Sequence, residues 1–310
     1  MNLGDITKID ETELQKQIDL ITYGFPCQDI STAGLRRGFW NNDGSKTRSG
    51  LFFDAIRIIK YCKPRIAIAE NVKNLTSKSM SGVFNTVLAS LDDAGYNNYW
   101  KVLNATDYGI PQRRERIFIV SIRKDIDDHS FQFPPVRPLT KCMEDYLDDD
   151  VSSEFFLSEK QISKIKTSKF YQERLRILNR DETCTTLLAR DYKGPKCIQV
   201  ANLNYYNMDM PNRIYSPKGI SPTLKTVSGG GGEIKVVENK LYRKLTPKEY
   251  FRLMGFTDLD YQILVDNGIS KTQLYKLAGN SIVVPVLENL FHQIYKIGAY
   301  IPPLRDKGCE

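Results

Sequence analysis

The strongest constraint on the fold of this chain is a pair of short apolar runs with one helical pattern between them. Residues 18–25 (IDLITYGF) stay apolar and stop at Gly24-Phe25-Pro26, as a buried strand entering a loop does. Residues 65–70 (RIAIAE) repeat the pattern. Between them, 51–62 (LFFDAIRIIKYC) place apolar side chains at helical spacing, and Pro64 marks the exit. Strand, loop, helix and strand in that order make a parallel crossover unit, the building block of α/β sheets. A second helix is predicted over 80–94, closed by Gly95, and 98–104 and 116–122 read as two further strands.

The stretch FPPVRPL (133–139) breaks all periodicity, so the first α/β domain is predicted to occupy 1–132. From about 140 to 240 the apolar runs shorten, Asn, Ser and Gly accumulate, and Gly229 to Gly232 form an unbroken glycine loop. Residues 133–240 are therefore expected to be a small, loop-rich domain. Order returns at Thr246-Pro247-Lys248-Glu249, with Thr as N-cap, Pro at the first helical position and Glu as the reciprocal partner of a capping box. This helix is expected to run to Gly255 and a last long one to span about 282–297, with 241–310 returning to the first domain.

Composition narrows the classes of function. The 310 residues, 41% apolar and 11% aromatic, are enough to bury a core. A net charge of +7 suits an anionic partner such as a phosphate backbone. Six cysteines contain no CxxC pair and the two histidines have no metal-ligand spacing, so neither a metal site nor a disulfide framework is expected. The N-terminus has no basic segment leading into an apolar one, and no run reaches the length of a membrane span. The expected setting is a reducing cytoplasm, with no membrane partner.

Cys27 follows the first strand and a proline, at the carboxyl end of a strand, where open α/β sheets place their ligands. A free cysteine is commonly a small buried hydrophobe. Here the loop GFPCQDIS and the following Gly34-Leu35-Arg36-Arg37-Gly38 put cations near the thiol, which favours the thiolate. Glu70 ends the next strand and is a candidate general acid. A third cluster, Gln112-Arg113-Arg114-Glu115-Arg116, enters a strand, and alternation is expected to send Arg114 and Arg116 to one face. Taken alone, such a charge run is a solvated surface.

In order, GFPCQ, ENV, QRRER, RKLTPKEYFRLMGF and GNSIVVPV resemble the successive signature blocks of the bacterial and phage DNA (cytosine-5)-methyltransferases. The resemblance covers the whole chain, and NRIYSPKGISPTLKTVSGGGG is similar to the family's target-recognition segment. It implies a Rossmann-like sheet of the S-adenosylmethionine-dependent methyltransferases with a small target-recognition domain, and double-stranded DNA as substrate. It also implies base flipping, because cytosine inside a duplex is unreachable. The Cys27 thiolate would attack C6, Glu70 would hydrogen-bond N3, Arg116 would hold the cytosine carbonyl oxygen, and Arg114 would support the Cys and Glu geometry. The resemblance places Gln28, Ser31, Arg36 and Arg37 on a loop closing over DNA, and Thr223-Leu224 near the flipped nucleotide. Asp5, Ile6, Pro26, Leu51, Asn280 and Ser281 would contact the donor, with Asp5 at the adenine position.

One departure from the family pattern stands out. The Phe-x-Gly-x-Gly turn and the acid-tipped strand that normally precede Gly4-Asp5-Ile6 are not in this sequence, on the order of 60 residues of two βα units. An open apolar edge along 18–25 is therefore expected, to be paired by a complementary N-terminal chain. The alternatives are an inactive remnant that binds DNA or a partner, and the related tRNA-methylating branch, which usually carries a second proline where this chain has Phe25. A cysteine oxidoreductase is disfavoured, because no second cysteine lies near Cys27 in sequence. Restriction-modification, orphan and phage enzymes would share every motif quoted.

Overall fold

In the computed structural model, the described residues are 2–16, 18–26, 39–41, 43–167, 199–202, 210–226, 232–238 and 241–296. Cys27, Gln28, Ser31, Arg36 and Arg37 lie outside them. The chain divides into two compact units. The first comprises Met1–Leu103, Glu115–Pro135 and Asn289–Glu310, and the second Asn104–Arg114 and Val136–Glu288. Where the sequence suggested a boundary at 133, the division falls after Pro135, and 241–288 group with the second unit.

The first unit is built on one four-stranded sheet. Its elements are β1 (Leu20–Gly24), α1 (Phe52–Cys62), β2 (Ile66–Val72), α2 (Ser81–Asp93), β3 (Tyr96–Asn104) and β4 (Glu115–Arg123), with strand order β1-β2-β4-β3. β1 and β2 are parallel, from Leu20 opposite Ile66 to Gly24 opposite Glu70, which is the expected crossover around α1. β2 and β4 are antiparallel, and β1 ends the described sheet on its side. Residues 66–69 of the interior strand β2 are all buried, as an unbroken apolar run should be when both sheet faces are covered.

α1 presents Phe52, Ile56 and Ile59 to this sheet, and burial of each such side chain is worth about 1.5–3 kcal/mol. The helix stops at Lys63, which takes a left-handed conformation (φ 46°) just before Pro64. Phe25, the residue after β1, packs edge-on against Phe52 at 5.2 Å, and Phe39 stacks on Phe52 at 5.3 Å. The chain leaving β1 is thereby anchored in the core.

The second unit contains short strands β5 (Gln199–Asn202), β6 (Arg213–Tyr215), β7 (Lys235–Glu238) and β8 (Leu241–Lys244), in that order across one sheet. Its helices are α3 (Glu159–Thr167), α4 (Pro247–Arg252), α5 (Asp258–Asp266) and α6 (Lys271–Asn280), and α7 (Val284–Lys296) begins in it and crosses the division. The capping box read from Thr246 and Glu249 is present at the start of α4. α5 and α6 were not read from the sequence, although Thr257 caps α5 with a second capping box and the Ser270 side chain accepts the Gln273 amide at the start of α6.

The Glu249 carboxylate does more than cap. It is fully buried and accepts both Nη atoms of Arg243 on β8 (2.9 and 2.8 Å), the Thr246 amide (2.6 Å) and the Asp148 amide (2.9 Å). Among the described residues, no helix is long and apolar enough to cross a membrane, and no group of three His, Cys, Asp or Glu could hold a metal ion.

Two predictions follow from this unit's buried charges. Glu249→Leu strands the Arg243 guanidinium and should cost about 3–5 kcal/mol in urea unfolding, whereas Arg243→Met with Glu249→Leu should recover most of it. A double variant no more stable than the single one would refute the pairing argument. Lys235 is the other case. Burial pulls its ammonium down to about 8 from 10.5, while Nζ donates to the Glu233 carbonyl at 2.9 Å. The folded chain then binds fewer protons than the unfolded one between these values, so unfolding free energy should rise from pH 8 to 10.5 by about 3 kcal/mol. Lys235→Met should remove that slope and raise stability at pH 7, as thermal unfolding across pH would reveal.

Candidate active site

The two sequence clusters that carry chemistry fall in different units, because the chain passes from the second unit to the first between Arg114 and Glu115. In the first unit the site is assembled at the carboxyl ends of β1 and β2. Gly24 lies opposite Glu70 across the parallel pair, and a Cβ placed on Gly24 would be in ordinary contact with Glu70 Oε2, at 3.7 Å. The Glu70 carboxylate therefore stands at the point where β1 gives way to Phe25-Pro26 and, in sequence, Cys27. Arg116 reaches Glu70 diagonally from β4, with Nε 3.0 Å from Oε1, and each side chain is about one-fifth exposed (19% and 18%). A largely shielded cation beside the carboxylate fixes its direction.

The two carbonyls that precede Cys27 are held by buried side chains. Asn71 Nδ2 donates to the Phe25 carbonyl at 3.0 Å, and Ser49 Oγ donates to the Pro26 carbonyl at 2.6 Å. Both donors are buried, Asn71 at 3% and Ser49 at 0% exposure. Neither side chain stands out in the sequence, where Asn71 appears only within the ENV block. Their partners are 23 and 46 residues away, which no local pattern signals.

Four of the expected donor contacts are in the first unit. Asp5 caps a 3-10 turn (Ile6–Lys8), where its Oδ1 accepts both the amide and the hydroxyl of Thr7 at 3.0 and 2.9 Å. These bonds, the backbone one foremost, hold its carboxyl below the usual range. The Ile6 carbonyl accepts from Arg57 Nη2 at 3.0 Å, which ties this turn to α1. Pro26 and Leu51 are half-buried, and Leu51 sits at the N-cap of α1 directly after Ser49-Gly50.

In the second unit, the segment from Pro111 to Arg114 runs beside Ser221–Leu224 as a short parallel ladder. Ser221 N–H donates to the Pro111 carbonyl at 2.7 Å and Arg113 N–H to the Ser221 carbonyl at 2.8 Å. The Thr223 hydroxyl donates to the Arg113 carbonyl, and Gln112 Oε1 accepts the Leu224 amide at 3.2 Å. Gln112 is fully buried and its Nε2 donates to the Leu253 carbonyl at 2.7 Å, at the end of α4.

Arg114 stands just before β4, where its main-chain carbonyl accepts the Ala105 amide at 3.2 Å. Its guanidinium is 4% exposed and donates to the carbonyls of Leu224 (3.0 Å), Gly279 (3.0 Å) and Ser281 (2.8 Å). Ser281 closes α6, with its own hydroxyl on the Ala278 carbonyl at 3.0 Å, and Asn280 beside it is exposed. The geometry thus unites Arg114, Thr223, Leu224 and Ser281 in one cluster and Pro26, Glu70 and Arg116 in another.

Comparison with known proteins agrees with the motif order. The model of the C-5 cytosine-specific DNA methylase family matches residues 1–296. The chain is 40% identical over 300 residues to the Type II methyltransferase M2.ScrFI of Lactococcus lactis subsp. cremoris, covering 95% of this chain and 71% of that protein. It is 33% identical over 296 residues to the Type II methyltransferase M.HhaI of Haemophilus parahaemolyticus, covering 94% and 80%. The solved Entamoeba histolytica methyltransferase EhMeth is similar in fold, with a TM-score of 0.65 at 16% identity, covering 96% of this chain and 83% of that one. With the ordered motifs, the α/β sheet and a family match over nearly its whole length, this chain belongs to the C-5 cytosine-specific DNA methylases.

Proposed function

We propose that this chain transfers a methyl group to C5 of a cytosine flipped out of double-stranded DNA, with Cys27 as nucleophile and Glu70 as the group facing N3. The observation that carries this reading is the Glu70 carboxylate, paired to Arg116 and set where β1 ends, two residues before Pro26-Cys27 begins. Addition of the Cys27 thiolate to C6 pushes charge onto the ring. A carboxyl that donates or shares a proton at N3 removes that charge, and C5 becomes the nucleophilic carbon. Arg116 holds the carboxylate in place and offers its remaining N–H donors to the cytosine carbonyl oxygen. Loss of the C5 proton and departure of the thiolate restore the base.

S-adenosylmethionine supplies the electrophilic methyl group when bound. The residues present fit its adenine end. Both described donors to Asp5 use Oδ1, so Oδ2 is left to accept an exocyclic amino group, and Pro26 and Leu51 offer half-buried apolar surface. Ile6, Asn280 and Ser281 are assigned to the donor, and Gln28, Ser31, Arg36, Arg37, Thr223 and Leu224 to DNA, on the family resemblance. A partner chain adding to the sheet would pair along β1, the strand that ends the described sheet. A nucleophilic thiolate fits a reducing cytoplasm.

The test is transfer of labelled methyl from S-adenosylmethionine to mixed-sequence duplex DNA and, separately, to tRNA, by the purified chain alone and with a glycine-rich strand–turn peptide. DNA should be methylated, Cys27→Ala should abolish transfer, and Glu70→Gln should slow it by about 10²–10⁴. Transfer to tRNA alone, or transfer that survives Cys27→Ala, would overturn the proposal. Ser49→Ala frees the Pro26 carbonyl and should lower kcat about tenfold or more at nearly constant KM, since small misplacements of a reacting group are costly. An unchanged kcat would make Ser49 structural only.

A further inference from the structure

The carbonyls gathered by Arg114 belong to two segments with different assignments. Leu224 lies in the strip Ser221–Thr226, which carries the DNA-contacting pair Thr223-Leu224. Gly279 and Ser281 frame the turn that carries the donor-contacting residues. One planar guanidinium donates to both, at 3.0 Å to Leu224 and at 3.0 and 2.8 Å to Gly279 and Ser281. The segments also touch directly. A Cβ built on Gly279 would fall 2.5 Å from the Lys225 carbonyl carbon and the Thr226 amide nitrogen, so only glycine allows the end of α6 to approach this backbone.

We propose that Arg114 is a positioning residue that locks the recognition strip to the donor-side turn, so that ordering either segment orders the other. This rests on the assignment of the two segments to DNA and donor given above. The physical basis is that the irregular strip and the carboxyl end of α6 both meet one buried fork through these carbonyls. Displacing either segment leaves a buried donor or acceptor on the other unmet, which disfavours moving one alone. Both ligands would then bias the same local order, which is the condition for reciprocal coupling of their affinities.

Arg114→Lys is the informative variant, because an ammonium keeps the charge and loses the planar fork. Amide hydrogen exchange in the ligand-free protein should become about tenfold faster in both 222–226 and 279–283, with the first unit unchanged. Gly279→Ala attacks the same junction by steric pressure and should loosen the same two segments, so it carries the test if Arg114→Lys does not fold. In equilibrium binding, S-adenosylhomocysteine should tighten duplex DNA by about fivefold or more in the wild type, and this factor should fall towards one in Arg114→Lys. Faster exchange confined to one segment, or an unchanged coupling factor, would overturn the lock. A wild type that binds neither ligand would instead refute the functional reading, while the exchange measurement would still decide whether the lock exists.

Discussion

The second unit depends on two polar side chains, Gln112 and Arg114, placed where a core would normally be apolar. Their amide and guanidinium groups meet the main-chain carbonyls of Leu224, Leu253, Gly279 and Ser281, none of which lies inside a sheet. Irregular backbone cannot be buried without partners, because each unmet carbonyl costs about as much as a lost hydrogen bond. Hydrogen bonds to a charged group are worth about 1.5–3 kcal/mol each, more than neutral ones. A loop-rich unit with strands as short as Arg213–Tyr215 can thus hold fixed geometry around one buried cation. The Arg243 and Glu249 pair does the same for the segments around Asp148 and Thr246.

The first unit solves a related problem with neutral groups. Where β1 ends, the backbone leaves the sheet and its carbonyls lose their ladder partners. Asn71 and Ser49 replace those partners for Phe25 and Pro26, while the Phe25 ring is gripped by Phe52 and Phe39. A peptide held at two successive carbonyls and one ring has little freedom left.

The sequence made the first unit legible because its signals are local. Four strands and two helices showed themselves through apolar runs, helical spacing, Pro64 and Gly95, and the parallel pairing of β1 with β2 followed from their connection through α1. The second unit resisted for a physical reason. Its strands of three or four residues are too short to show alternation, and α5 exposes Leu259 and Ile263, so no apolar stripe marks it. Glu70 and Arg116 could be named from the motifs. Their 3.0 Å pairing depends on a diagonal across β2 and β4 that only the register reveals.

The stretch from Gln112 to Arg116 shows why a charge run is a poor unit of interpretation. Five consecutive residues fall into four different environments. Gln112 and Arg114 are buried donors to carbonyls, and Arg113 contributes its main chain to the ladder with Ser221. Glu115 meets Lys73 at 2.7 Å, with the lysine side chain 55% exposed, and such a surface pair is worth about 0–1 kcal/mol. Arg116 meets Glu70 in a largely shielded setting where the same Coulomb attraction is less screened. Net charge therefore says little about what these residues do. What decides their roles is the partner each side chain meets, the carbonyls of Leu224, Gly279 and Ser281 for Arg114 and the Glu70 carboxylate for Arg116.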